Sequence, residues 1–118
     1  MKKPDRLARP RDFQRVLSGR SLYSGRGFVA FVTPRPDAGS RVGITVSRRL
    51  KGAVKRNRAR RRLREVARQV LLSDDSPLRS EGMSYDVVLI ARPAALELDF
   101  DALRQEGSRL MEVIRAVQ

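Results

Sequence analysis

The stretch "KGAVKRNRARRRLREVAR", residues 51–68, carries nine Lys or Arg residues and a single acid, Glu65. At about 100° per residue, the apolar residues from Ala59 onward share an arc of roughly 140°, and most of the arginines lie on the opposite arc. This pattern predicts a helix that docks on a sheet and turns a basic face outward. Surface helices usually alternate charge so that i, i+4 pairs form, so the seven arginines from Arg56 to Arg68 favour an anionic partner.

Two strand candidates precede this helix, "GFVAFVT" at 27–33 and "RVGITVS" at 41–47. Side chains alternate along each of them, and we expect the two strands to pair antiparallel with one face buried. The buried face of the second strand would hold Val42, Ile44 and Val46. The opposite face, which could floor an open groove, would hold Phe31, Gly43, Thr45 and Ser47.

The other segments predict two more helices and one more strand. Residues 9–20 form a short helix with an apolar face, and Pro93 ends a buried strand over residues 84–92. Residues 98–117 form a terminal helix whose apolar stripe includes Gly107, where a neighbour can approach closely. The basic helix should end around "SDDSP", residues 73–77.

This order of elements predicts one α+β domain, an α/β sandwich, spanning residues 1–118. The order is α-β-β-α-β-α, with room for one more short strand near "SLYSGR". Residues 1–10 are expected to form a flexible basic arm.

The charge is large and one-sided. The net charge is +13, and residues 1–73 hold 21 Lys/Arg against 4 Asp/Glu, or +17, whereas residues 74–118 hold 5 against 9, or −4. Such a balance indicates a polyanionic partner, either nucleic acid or an anionic membrane surface, bound through one face of the molecule.

Several classes of chemistry are excluded or disfavoured. The chain has no histidine, which excludes an acid–base ribonuclease of the RNase A type. A two-metal nuclease needs clustered carboxylates, and those of the basic half are widely spaced. We therefore expect no catalytic residue and no metal ligand on the protein itself. The absence of cysteine, and of a signal or membrane-spanning segment, favours a cytoplasmic protein.

Three sets of residues have two interpretations each. Asn57 is either an ordinary residue at the start of the helix or a donor and acceptor placed beside phosphate-binding arginines. Phe13, Leu17 and Phe31 are either core residues or surfaces on which single-stranded bases stack. Glu97, Asp99 and Asp101 favour helix capping, with a metal site as the alternative.

The motifs "RVGITVSRRL" and "GAVKRNRARRRLREVAR" resemble the bacterial ribonuclease P protein family. That family carries an R-V-G-x-x-V-S-[KR]-[KR] strand followed by A-V-x-R-N-R-x-[KR]-R-x-x-R-E on a helix. With "DFQRVL" upstream and "YDVVLIAR" downstream, the resemblance covers about residues 6 to 117. The matching positions of the helix motif are Ala53, Val54, Arg56, Asn57, Arg58, Arg60, Arg61, Arg64 and Glu65.

The resemblance implies a left-handed β-α-β crossover through the basic helix. It also implies a protein subunit, monomeric when alone, that binds a large catalytic RNA and the single-stranded 5′ leader of precursor tRNA. The leader is removed by RNA-based endonucleolytic cleavage with Mg²⁺ held mainly by RNA and phosphates. The surface for the catalytic RNA would comprise Arg56, Asn57, Arg58, Arg60, Arg61, Arg64 and Arg68. The leader groove would contain Phe13, Leu17 and Phe31.

Two positions depart from the family pattern, because Leu17 stands where an aromatic residue is common and Gly52 replaces an Asn. The main alternative function is a ribosomal or other structural RNA-binding protein. A bZIP-like basic region would need leucine heptads after the basic segment. A membrane-surface helix would need Trp, Phe or bulky Leu along its apolar face. "SDDSP" ends the helix where heptads would have to follow, and the apolar face has Ala, Val and Leu sized for packing on a sheet.

Overall fold

The structure is a computed structural model that describes residues 5–36 and 39–117. The main helices are α1 (Pro10–Leu17), α2 (Ala53–Val66), α3 (Pro77–Ser80) and α4 (Phe100–Val117). The strands are β1 (Ser21–Ser24), β2 (Phe28–Pro34), β3 (Arg41–Val46) and β4 (Tyr85–Ala91). A π-helical turn at Ala67–Leu71 extends α2, and a short 3₁₀ helix at Pro93–Leu96 follows β4. The predicted order of the main elements is confirmed, including the extra strand near "SLYSGR", and the short helix α3 was not predicted.

The four strands form one mixed sheet in the order β1-β2-β4-β3. β4 pairs antiparallel with β2, and parallel with β3. The expected antiparallel pairing of β2 with β3 is therefore wrong, because β4 lies between them. Its apolar run suits this central position, where both faces of the strand are covered.

The larger core lies on the sheet face that carries α2 and α4. The inward residues of α2 include Ala59, Leu63 and Val66, all fully buried against the sheet and α4. Gly107 of α4 is also buried, and a β-carbon there would lie 3.0 Å from Val66 Cγ1. The close approach predicted at this glycine is confirmed, and it sets the distance between the two helices.

The second face of the sheet is covered only in part, by α1. Val16 of α1 is buried there with Leu7 and Val88, and Phe13, Leu17, Phe31 and Ile90 pack around them. Phe31 pairs with Val88, which pairs in turn with Gly43, so these three residues form one row across this face. The predicted sidedness of β3 is confirmed, since Val42 and Val46 face the larger core, but Gly43 on the opposite face is buried beneath Phe13.

The segment before α1 is docked on the edge of the sheet. Arg6 pairs in parallel with Val42, and the amide of Leu7 donates to the Val42 carbonyl at 3.0 Å. Leu7 is buried because its side chain fills the small core beneath α1. Arg6 and Leu7 thus lie against the sheet, residues 1–4 lie outside the described residues, and the flexible basic arm over residues 1–10 stays a prediction.

The chain connects the parallel strands β3 and β4 through α2. The β-α-β unit implied by the family resemblance is thus present. The left hand of its crossover stays a prediction.

Candidate nucleic-acid interface

The basic helix begins earlier than its apolar stripe indicates. Gly52 precedes the first helical residue with a φ of 92°, a backbone conformation that favours glycine. Asn57 is therefore the fifth residue of α2, and its predicted position at the helix start is wrong. Its side-chain oxygen Oδ1 accepts a hydrogen bond from Arg60 Nη1 at 2.9 Å. The Asn57 side chain thus holds a neighbouring guanidinium on the outer surface of α2.

Two arginines of α2 bind the protein itself. Arg56 Nη1 donates to the carbonyls of Ser47 and Leu50, each at 3.0 Å, and so holds the loop that leads out of β3. Arg62 donates to the carbonyls of Ala95 and Leu98 at 2.7 and 2.6 Å, and so ties α2 to the segment after β4. Both side chains are half-buried. They position the helix on the body of the protein.

The single acid of the basic face is paired within the helix. Glu65 accepts hydrogen bonds from Arg68 and from Gln69. The bond from Arg68, followed by the bond from Gln69, lowers the pKa of Glu65 below its ordinary value. Arg68 therefore has one protein partner, and its positive charge is partly neutralised.

The remaining arginines present an outward basic surface. Arg58, Arg61 and Arg64 are exposed, and within residues 5–36 and 39–117 no carboxylate accepts a hydrogen bond from any of them. Arg60 is half-buried and donates a hydrogen bond to Asn57. Guanidinium groups that no carboxylate engages can form bidentate contacts with phosphates.

α1 and the partly covered face of the sheet share a half-buried apolar surface, which we name the groove. Its walls include Phe13 and Leu17 of α1 and Phe31 of β2, each half-buried. A β-carbon at Gly43 would lie 2.6 Å from Phe13 Cζ, so the phenyl ring rests directly on the backbone of β3. The three side chains predicted to share a groove are thus close together, and each has both a packed and an open side.

The groove continues over the next row of the sheet. Val29 pairs with Ile90, which pairs with Thr45, and all three residues are only half-buried. An open cavity of about 400 Å³ lies there, with Val29 and Ile90 on its floor and Arg49 and Arg92 at its rim. An aliphatic floor offers apolar contact to the faces of bases, and the rim arginines can pair with phosphates.

A buried carboxylate holds α1 over this face. Asp86 of β4 accepts bidentate hydrogen bonds from Arg41, each at 2.8 Å, and a further one from Arg15 of α1. Arg41 also lies 3.6 Å from Asp12 of α1, and Arg35 lies 3.5 Å from Asp86. One buried acid thus joins α1, β3 and β4.

The ionisation of Asp86 follows from these contacts. Burial alone would raise the pKa of Asp86, but hydrogen bonds from Arg41 and Arg15 outweigh burial and lower it. The same contacts raise the pKa of Arg41, with the hydrogen bond to Asp86 as the largest cause. Asp86 is therefore a carboxylate at neutral pH, and the network keeps its charges.

The geometry can be compared with known proteins. A family model described as Ribonuclease P matches residues 1–115. The chain belongs to the ribonuclease P protein family. It is 35% identical over 113 residues to the ribonuclease P protein component of Streptococcus agalactiae, covering 96% of each chain. It is 40% identical over 113 residues to that of Symbiobacterium thermophilum, covering 95% of this chain and 92% of the relative.

A solved structure of the ribonuclease P protein family shares the fold. A Staphylococcus aureus RNase P protein mutant superposes with a TM-score of 0.72 at 28% identity, covering 96% of this chain and 90% of that chain. The predicted α+β fold is therefore confirmed as the fold of this family. Among the residues described, no helix is long and apolar enough to cross a membrane.

Sequence reasoning missed two residues that support this part of the molecule, Arg92 and the buried Asp86. Arg92 donates to the Gly25 carbonyl at 2.6 Å and to Ser24 Oγ at 3.1 Å, so it also holds the β1–β2 turn. Arg92 could have been identified in the sequence as a charged residue directly after a buried strand. Asp86 could also have been identified, since a lone acid in an apolar strand requires buried partners.

The acids near α4 do not form a metal site. Asp99 and Asp101 lie at the start of α4, where the Leu103 amide donates to the Asp99 carbonyl at 3.2 Å. Across residues 5–36 and 39–117, no group of three His, Cys, Asp or Glu residues could hold a metal ion. Asp101, in the first turn, suits the positive end of the helix dipole.

Proposed function

We propose that this chain is the RNA-binding protein subunit of ribonuclease P. It binds the catalytic RNA through the outward arginines of α2, and it holds the single-stranded 5′ leader of precursor tRNA in the groove beside α1. The observation that carries this proposal is the position of a basic helix next to an apolar-floored groove with arginines at its rim. Single-stranded RNA binds such grooves by base stacking and phosphate contacts.

The protein positions RNA, and the RNA performs the cleavage. The described carboxylates are dispersed or bonded to arginines, so they do not suit a protein-held Mg²⁺ pair. We assign the Mg²⁺ ions to the RNA and its phosphates. The protein contributes positive charge near the reacting strands and fixes the path of the leader. It works in this proposal as a monomer in the cytoplasm.

The main test is reconstitution. Catalytic RNA and a precursor tRNA are combined at low Mg²⁺, with and without the protein, and the rate of leader release is measured. The protein should increase the rate, and the pure protein should cleave nothing. Robust cleavage by protein that is free of RNA would refute this division of roles. If another RNA co-purifies with the chain and catalytic RNA does not bind, a structural RNA-binding role is favoured.

Salt dependence tests the electrostatic part of the proposal. The logarithm of the binding constant should fall by roughly 0.7–0.9 units per logarithmic unit of salt for each phosphate that is neutralised. Arg58→Ala should reduce cleavage by the complex at limiting Mg²⁺. Arg104→Ala is the matched control, because Arg104 lies on α4 in an exposed pair with Asp101. Equal activity of the Arg58 variant and the wild type would contradict the assignment of α2.

A further inference from the structure

The terminal helix α4 carries an outer stripe whose charges are arranged symmetrically about Ser108. Arg104 and Glu112 lie four residues before and after Ser108. Asp101 and Arg115 lie seven residues before and after it. All five residues are exposed, and at about 100° per residue they share an arc of roughly 80°. We name them the α4 stripe. Each charge in it has an opposite charge at the same distance on the other side of Ser108.

The α4 stripe is complementary to a second copy of itself in one direction only. In an antiparallel pair of α4 helices with a two-fold axis at Ser108, Arg104 of one copy faces Glu112 of the other. Asp101 of one copy likewise faces Arg115 of the other. The symmetry makes each kind of ion pair twice. A parallel pair would place every charge opposite an identical charge, which is repulsive.

A shallow groove beside the α4 stripe adds apolar surface. A cavity of about 350 Å³ lies between α4 and the π-helical turn, and Ser108 and Glu112 line it from the stripe. Val70 of the turn and Met111 of α4 supply its apolar part. None of the residues assigned to the catalytic RNA or the leader lines this cavity. A partner seated here would therefore contact a part of the chain that neither RNA surface uses.

The ion pairs that the stripe already makes leave it able to bind a partner. Arg104 Nη1 lies 3.1 Å from Asp101 Oδ1, and Arg115 Nε lies 3.2 Å from Glu81 Oε2. These four side chains are between 43% and 78% exposed. A guanidinium has several N–H donors, so one carboxylate does not saturate it. Exposed pairs of this kind also contribute little stability, so they can rearrange at little cost.

We propose that two copies of the chain associate through antiparallel packing of their α4 helices, with the two-fold axis at Ser108. The net charge of +13 opposes association, but residues 74–118 have a net charge of −4. Physiological salt screens charges that are more than about 8 Å apart. A pair of helices buries less than the roughly 1,200 Å² of a stable interface, so we expect a Kd on the order of 0.1 mM. Dilute protein is then the monomer of the proposed function, and this inference goes beyond that function.

A cysteine on the two-fold axis tests this arrangement, because the chain has no cysteine of its own. Packed helices lie about 8–10 Å apart and have a Cα radius of about 2.3 Å, which leaves roughly 4–5 Å between the two Cα atoms at position 108. A disulfide can span that distance. Ala116→Cys is the matched control, since it is exposed on the same helix but its two copies would lie about 24 Å apart along the helix axes.

Both cysteine variants are incubated in a glutathione redox buffer near the expected Kd, and disulfide-linked dimers are counted over time on a non-reducing gel. Ser108→Cys should form them at least about tenfold faster than Ala116→Cys, because only its thiols are brought together in the pair. Equal rates for the two variants would show random collision and would overturn the inference.

Charge exchange gives a second test, by sedimentation equilibrium at neutral pH. Arg104→Glu turns both Arg104–Glu112 contacts into repulsive ones, and Glu112→Arg does the same. Each single variant should therefore raise the dimer Kd by at least about tenfold. The double variant has opposite charges at both contacts again, and its Kd should return to within about threefold of the wild type. Far-UV circular dichroism checks that each variant folds.

Single variants with the wild-type Kd, or a double variant no better than the single ones, would overturn the inference. A wild type that stays monomeric at about 1 mM would also overturn it, since that concentration is about tenfold above the expected Kd. These outcomes leave the proposed function intact, because leader release is measured with nanomolar protein, at which the chain is monomeric. Failure of that reconstitution would instead refute the proposed function.

Discussion

Replacing the buried carboxylate at Asp86 should destabilise the fold strongly. The Asp86 side chain is 0% exposed and accepts bidentate hydrogen bonds from Arg41, each at 2.8 Å. In Asp86→Asn, an amide NH₂ group would face a guanidinium donor, so at least one buried donor loses its acceptor. Breaking a buried ion pair from one side costs about 3–5 kcal/mol. Because the side chains of Arg15 and Arg41 are 44% and 22% exposed, both can reach water, which favours the lower end, about 3 kcal/mol.

A loss of about 3 kcal/mol is a large part of the 5–15 kcal/mol that stabilises a typical domain. For 118 residues, the Tm should fall by roughly 4 °C per kcal/mol, or about 12 °C in total. The assay is thermal and urea unfolding of the isolated protein at pH 7. Asp101→Asn is the control, because the Asp101 side chain is 78% exposed and its pair with Arg104 should contribute less than about 1 kcal/mol.

The pH dependence of folding stability provides an independent check on the role of Asp86. The pKa of Asp86 is lowered from its ordinary value of 3.8, with the Arg41 and Arg15 hydrogen bonds outweighing burial. The folded state therefore holds this proton less tightly than the unfolded state, and the stabilisation is fully present above about pH 4. It is lost as the pH falls from 3.8 through the lower folded pKa. The difference in Tm between wild type and variant should narrow in that window. The reasoning would be refuted if the free energies of unfolding of wild type and Asp86→Asn differed by less than about 1 kcal/mol at pH 7. It would also be refuted if that difference grew as the pH was lowered.

Three more variants test the packing around α2 and α4. Gly25→Ala should lower the Tm by several degrees, because its β-carbon would overlap Glu106 Oε1, and a normal Tm would show that the turn can shift. Gly107→Leu should destabilise by about 1–3 kcal/mol in urea unfolding, because a β-carbon there already lies 3.0 Å from Val66 Cγ1. Unchanged stability would mean that the helices can separate at no cost. Leu63→Ala should cost about 2–5 kcal/mol by the same assay, since Leu63 is fully buried, and a loss below 1 kcal/mol would contradict its place in the core.

The sequence predicts each element well and the pairing of the strands less well. Alternation within β3 identifies which residues share a face, but it contains no information about which strand lies alongside. The near-continuous apolar run of β4 was the available signal, since a strand with both faces covered lies inside the sheet. Chain order favoured a pairing of β2 with β3 because sequential strands are often neighbours.

The start of α2 was also predicted too late, for a physical reason. Ala53 and Val54 are exposed and contribute nothing to the apolar stripe, and Gly52 provides no side-chain cap. The positions of the arginines around the helix also do not show which of them form hydrogen bonds with the rest of the protein. Arg56 and Arg62 reach backbone carbonyls through long flexible side chains, and these contacts depend on segments remote in sequence. Phe13, Leu17 and Phe31 pack around one small core, and their role as a leader groove stays a prediction.

The central place of β4 has a consequence for synthesis of the chain. β2 and β3 leave the ribosome first, and each lacks its main partner until residues 85–91 emerge and insert between them. Until then the nascent chain has unpaired strand edges and a basic α2 without the sheet that covers its apolar stripe. Pairing across such sequence separations is slow and aggregation-prone. Folding of this small domain is therefore expected to be a late, single event, and a chain that stops before β4 should retain at most the β1–β2 hairpin, which is marginally stable by itself.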